Sequence, residues 1–154
     1  MRCTILASGS KGNCVVIEGE RGSLLIDAGL SAKECLLRMG RAGIAADRIE
    51  ALLVTHEHTD HIRGVDVLAR KLDIPVYATE GTLADFLHIR RTSEKPLLHH
   101  TCRDHERFFV GDFTIEPFST SHDAREPCGF ILDEAGTRMG YCTDTGIITP
   151  HMHD

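Results

Sequence analysis

Three imidazoles and two carboxylates fall within six consecutive residues, His56-Glu57-His58-Thr59-Asp60-His61. Neutral imidazole and carboxylate are donors that divalent transition metals accept when no thiolate is offered. A lone HxH pair is often incidental in a solvated loop. Four ligand-type residues in six, His56, His58, Asp60 and His61, point to metal binding. Their setting strengthens the reading. Residues 49–55 (IEALLVT) form a short apolar run that predicts a buried strand. Residues 62–72 predict a helix, with Val65, Leu68, Ala69 and Leu72 on one stripe. His56 and His58 therefore leave a strand end, and Asp60 and His61 enter a helix one turn later. Strand-to-helix junctions are where α/β proteins place ligands, and this one could hold two divalent ions side by side. Glu57 and Thr59 are expected to point away, towards solvent or towards partners that orient the rings.

Further ligands must come from elsewhere in the chain. Asp27 ends the run SLLID, His122 follows the run TIEPFST, and Asp144 follows MGYCT. An aspartate at a strand end is commonly only a turn-former. Beside the histidine cluster, these three positions gain weight because a two-ion site needs more donors than one loop supplies.

The elements that position these residues are short. Residues 3–7, 14–18 and 23–27 read as strands separated by Gly9, Gly12, Gly19 and Gly22. A helix capped by Ser31 follows to Met39 or Gly40. After the metal loop and its helix come a strand at 75–78 and a helix at 82–90. Residues 91–103 read as a polar, turn-rich connection, and hairpin strands follow at 108–110, 113–118, 129–132 and 138–142. Strands, βα crossovers and then antiparallel strands predict a mixed sheet covered by helices on one side, with a second sheet packed face to face.

Composition bounds the function. A chain of 154 residues, 42 % hydrophobic and 26 % charged, suits one soluble domain with a real core. The net charge of −6 argues against a surface that coats nucleic acid, though not against a local groove where metals attract phosphate. No apolar run approaches membrane-spanning length and no signal peptide opens the chain, so a cytoplasmic protein is expected. The six cysteines (Cys3, Cys14, Cys35, Cys102, Cys128 and Cys142) form no CxxC pair. Most lie in apolar stretches such as CVVI and GYCTD, as buried free thiols of a reducing compartment would.

Asp27, the HEHTDH cluster, His122 and Asp144 occur in an order and spacing that resemble the metallo-β-lactamase-fold hydrolases. The opening Ala7-Ser8-Gly9-Ser10-Lys11-Gly12-Asn13-Cys14 and the segment Tyr141-Cys142-Thr143-Asp144-Thr145-Gly146 resemble the WalJ (YycJ-like) branch, bacterial proteins similar to DNA exonucleases. The resemblance implies a mixed α/β (α+β) αββα sandwich. It implies that His56, His58 and His122 hold a first metal, that Asp60 and His61 hold a second, and that Asp144 bridges both. Asp27 would orient the histidine loop without binding metal. Two divalent ions are implied, zinc or manganese, with iron a third option.

The same resemblance implies phosphodiester hydrolysis by a metal-activated hydroxide, with DNA as substrate and Asp60 and Asp144 as catalytic carboxylates. A thioester or lactone hydrolase would use the same ligands, and an inactive metal-binding domain is an alternative from another class. A flavodiiron-type oxidoreductase fits less well, since that group resembles a cluster with glutamate where His58 stands. The family's last ligand is a histidine well beyond Asp144, and no position here matches it. His151 and His153 follow Asp144 too closely and read as a frayed tail. Residues 1–154 are thus expected to form one truncated domain, the N-terminal half plus part of the second half. Strands 113–118 and 138–142 should then lack partners, leaving an edge that favours self-association.

Overall fold

Strands whose residues are apolar at every position, rather than at alternate ones, have both faces buried. This rule organises the computed structural model, which describes residues 1–90 and 95–152. Six strands form one sheet in the order β1 (Arg2–Ala7), β2 (Cys14–Glu18), β3 (Ser23–Ile26), β4 (Ile49–Leu53), β5 (Val76–Thr79) and β6 (His99–Cys102). The β1–β2–β3 pairings are antiparallel and the β3–β4–β5–β6 pairings parallel. A second, antiparallel sheet has the order β10 (Thr137–Tyr141), β9 (Cys128–Glu134), β8 (Phe113–Ser119), β7 (Phe108–Val110).

Alternate side chains of the first sheet serve two cores. Val16, Leu25, Leu52 and Val76 face the helices α1 (Ala32–Arg41), α3 (Val65–Leu72) and α4 (Glu80–Ile89), where they meet Cys35, Met39, Val65, Leu68 and Phe86. Ile17, Leu24, Ile26 and Leu53 point the other way, onto Phe113, Ile115, Phe130 and Leu132 of the second sheet. Each such fully buried side chain contributes roughly 1.5–3 kcal/mol of apolar burial. The two-sheet, mixed architecture is the one expected. No helix among the described residues is long and apolar enough to cross a membrane.

Several local expectations are corrected. The predicted helix 62–72 is two helices, α2 (Thr59–Ile62) and α3. Gly64 interrupts it, donating its N–H to the Ala28 carbonyl at 2.8 Å, and a Cβ there would overlap the Leu30 carbonyl. The run 49–55 leaves the sheet after Leu53, because the Thr55 amide turns to the Asp27 side chain. The connection 91–103 contains β6, whose exposed polar His99, His100 and Thr101 hide a parallel pairing with β5. Residues 91–94 of that connection lie outside the described residues. The strand at 113–118 is not an edge, since β8 lies between β7 and β9, whereas β10 does end its sheet. Cys14, Cys35, Cys102 and Cys128 are buried and free, but Cys142 is exposed, because the chain leaves β10 at Tyr141.

Candidate metal centre

The centre is assembled at the ends of strands, beginning with a left-handed turn that few side chains tolerate. Asp27 follows β3 with φ 57°, in the left-handed region where aspartate is one of the favoured non-glycine residues. Its carboxylate is fully buried and fully engaged. Oδ1 accepts the Thr55 N–H at 2.8 Å. Oδ2 accepts the Thr55 hydroxyl at 2.8 Å and the His61 Nδ1–H at 2.7 Å. The last bond sets the tautomer: with its proton on Nδ1, His61 presents a bare Nε2 to the site. Burial raises the Asp27 carboxyl above its ordinary value, against the opposing pull of His61 and Thr55. Burial also works against a charged His61 ring, yet Asp27, Asp60 and Asp144 together hold its pKa above the usual value.

The metal loop is stitched to the neighbouring turns by its main chain. Asn13 N–H donates to the Asp60 carbonyl at 2.7 Å, Ala28 N–H to that of His61 at 2.8 Å, and Gly29 N–H to that of Asn13 at 2.8 Å. Any Cβ on Gly29 would overlap the Asp60 carbonyl, so the approach requires glycine. Helix α2 starts at Thr59, so Asp60 and His61 both stand on its first turn, with the His61 N–H bonded to the His58 carbonyl at 2.9 Å.

Two groups of donors result, and His56 belongs to both. In one, ligand atoms of His56, His58 and His122 all lie within 4.8 Å of one another; in the other, those of His56, His61 and Asp144 do. His122 Nε2 is 3.2 Å from His58 Nδ1, and His61 Nε2 is 2.8 Å from Asp144 Oδ2. Asp60 stands beside the second group, its Oδ2 3.6 Å from His61 Nε2. Thus the structure brings together all of His56, His58, Asp60, His61, His122 and Asp144, with Asp27 behind them. His153 lies outside the described residues, and of His151 only the backbone is described.

Glu57 and Thr59 turn away as expected. Glu57 accepts the Arg125 N–H at 2.8 Å and the Thr82 hydroxyl at 3.4 Å, tying the loop that carries His122 to the start of α4. Thr59 is exposed. Two residues that sequence reasoning passed over also line the site. Thr55 holds Asp27 and lies 3.0 Å from His56 Nδ1, and Asn13 reaches both Asp60 and His61. Their only signal was a polar side chain closing an apolar run, and an asparagine after Gly12.

The donor chemistry fits a metal. Thr55 gives its hydroxyl proton to Asp27, so it accepts from His56 Nδ1–H, and His56 Nε2 is a bare lone pair. That nitrogen is buried and has no hydrogen-bond partner among the described residues. A buried acceptor left so is costly unless a cation meets it. Protonation is not the remedy, because burial and the neighbouring His61, His58 and His122 push the His56 pKa down to about 3. The sign of the linkage follows. Below its ordinary value of 6.5 the unfolded chain binds a proton at His56 that the folded chain refuses until about 3. His56 therefore makes metal-free protein less stable as pH falls through that window. The expected result is an imidazole resonance for His56 that stays in its neutral position from pH 6.5 to 4 in a proton NMR titration of metal-free protein. A mid-point near 6.5 would contradict the geometry.

Residues 23–154 match the family model described as a beta-lactamase superfamily domain. The chain is 38% identical over 152 residues to "Exodeoxyribonuclease YycJ" of Bacillus anthracis, covering 97% of this chain and 56% of that protein. It is 36% identical over 154 residues to "Exodeoxyribonuclease WalJ" of Streptococcus pneumoniae, with the same coverage of 97% and 56%. The chain thus spans about half the length of the curated relatives it matches. Among solved structures, the "Rm3 metallo-beta-lactamase" superposes with a TM-score of 0.71 at 21% identity, over 90% of this chain and 56% of that one, a likeness of fold.

Proposed function

Because the chain belongs to the β-lactamase superfamily, we propose that it is part of a metal-dependent hydrolase whose substrate is a phosphodiester, with DNA the substrate class. One observation carries the metal-dependent part: the bare, buried Nε2 of His56 sits where two donor groups meet. The substrate class is supported by the two relatives named as exodeoxyribonucleases, which this chain matches over nearly its whole length.

In this reading His56, His58 and His122 would hold one ion, Asp60 and His61 would hold a second, and Asp144 would serve both. Zinc or manganese suits the imidazole and carboxylate donors, and iron is compatible. Bound divalent ions supply Lewis-acid polarisation of a phosphoryl oxygen and a nucleophile available near neutral pH. The remaining work belongs to the protein. Asp27 keeps the His61 proton on Nδ1, and Thr55 keeps that of His56 on its Nδ1, so both Nε2 lone pairs face the ions. Glu57 holds the His122 loop against α4, which fixes the distance between the first two histidines and the third. Four buried free thiols suit a reducing cytoplasm.

The test is release of nucleotides from single-stranded DNA by protein loaded with manganese or zinc, alongside hydrolysis of a simple thioester. DNA degradation that stops on chelation and returns with metal supports the proposal. Thioester turnover without DNA cleavage would replace it with the other hydrolase chemistry. Metal uptake without turnover of either would leave only a binding domain.

A further inference from the structure

Asn13 is buried, at 8% exposure, in a loop that contributes no ligand, yet it exhausts its hydrogen-bonding capacity on the site. Its backbone N–H goes to the Asp60 carbonyl at 2.7 Å and its carbonyl receives the Gly29 N–H at 2.8 Å. The side-chain amide pairs with Gly9, accepting that residue's N–H at 3.0 Å and donating to its carbonyl at 3.0 Å. One amide hydrogen remains. It points into the space between Asp60 Oδ2 at 3.2 Å, His61 Nε2 at 3.2 Å and the Asp60 carbonyl at 3.4 Å.

That remaining hydrogen faces acceptors only. With His61 neutral, as metal binding requires, the Asp60 carboxylate and the His61 Nε2 lone pair repel each other, and the amide hydrogen between them offsets the repulsion. Among the described residues no side-chain amide touches His58 or His122, whose rings instead approach each other. We propose that Asn13 is a positioning residue that sets the Asp60 carboxylate and the His61 ring for the second ion. It would thereby govern that ion's affinity and leave the His56–His58–His122 group unaffected. The inference rests on the two-ion reading above.

Cobalt(II) titration of metal-free protein tests it, with stoichiometry from equilibrium dialysis and ligand environment from the visible absorption bands. Wild type is expected to take up two equivalents. Asn13→Ala should keep the first at wild-type affinity and weaken the second by about 10–100-fold, the usual effect of removing a partner that orients a ligand. Asn13→Asp is the companion variant. It keeps the side-chain shape and an oxygen towards the Gly9 N–H, but replaces the donor facing Asp60 and His61. It should weaken the second equivalent as well, with an unchanged near-ultraviolet circular dichroism spectrum. Second-site affinity at or above wild type in Asn13→Asp overturns the proposal, as does an equal loss at both sites, which would mark a purely structural role. Failure of wild type to bind a second cobalt ion overturns the two-ion reading and this assignment with it. Two ions in wild type, with second-site affinity unchanged in both variants, overturn the role of Asn13 alone.

Discussion

His56→Ala is expected to cost the centre an ion and abolish hydrolysis, because it removes the buried Nε2 lone pair that lies within reach of both donor groups. The loss should exceed the roughly 10–100-fold in metal affinity that follows removal of an outer partner, since here a ligand itself disappears. His122→Ala makes the contrast, since its half-buried ring belongs to one group only. Elemental analysis after dialysis, paired with nucleotide release from DNA, should rank His56→Ala below His122→Ala. A His56→Ala protein that retains a full complement of metal would refute the assignment of His56 as a ligand.

Asp27→Ala should be the most destabilising single change at the centre. It strands the Thr55 N–H, the Thr55 hydroxyl and the His61 Nδ1–H in an interior with no solvent access. Leaving one buried partner of such a network unpaired costs about 3–5 kcal/mol. Urea denaturation should therefore show a lower mid-point with an unchanged slope. Asp27→Asn separates stability from chemistry. It preserves shape and can still accept from Thr55, but an amide NH2 aimed at His61 Nδ1 demands a lone pair there. The ring proton would move to Nε2 and block the face turned towards Asp144. The expected variant is folded, with metal binding impaired at His61. An Asp27→Asn protein with wild-type metal affinity would show that the tautomer is set elsewhere.

Much of the centre was legible in the sequence because its donors are chemically conspicuous. The HEHTDH cluster identifies itself by density, and Asp27, His122 and Asp144 stand out as polar residues closing apolar runs. The residues that orient them were less legible. Asn13 and Thr55 have the composition of any turn or strand end, and their importance lies in contacts across the chain that spacing does not encode. The same reason hid β6. Exposed His99, His100 and Thr101 carry no apolar alternation, and the strand exists through main-chain pairing with β5. Helix α3 was misread at its start because periodicity counts apolar positions. It is blind to the close backbone approach that makes Gly64 a break between two helices.

The main-chain bonds joining Asn13, Ala28, Gly29, Asp60, His61 and Gly64 have a thermodynamic consequence for recognition. Turns at strand ends are ordinarily the freest part of a chain, and fixing one residue costs about 1–2 kcal/mol of conformational entropy. Here that cost falls on folding, because the turns are as fully hydrogen-bonded as a sheet. Fixing the turns in this way raises the binding-competent fraction of the native population, which brings apparent affinity closer to the intrinsic affinity of the donors. An arriving ion has to shed its own hydration, while the protein around it has little left to rearrange.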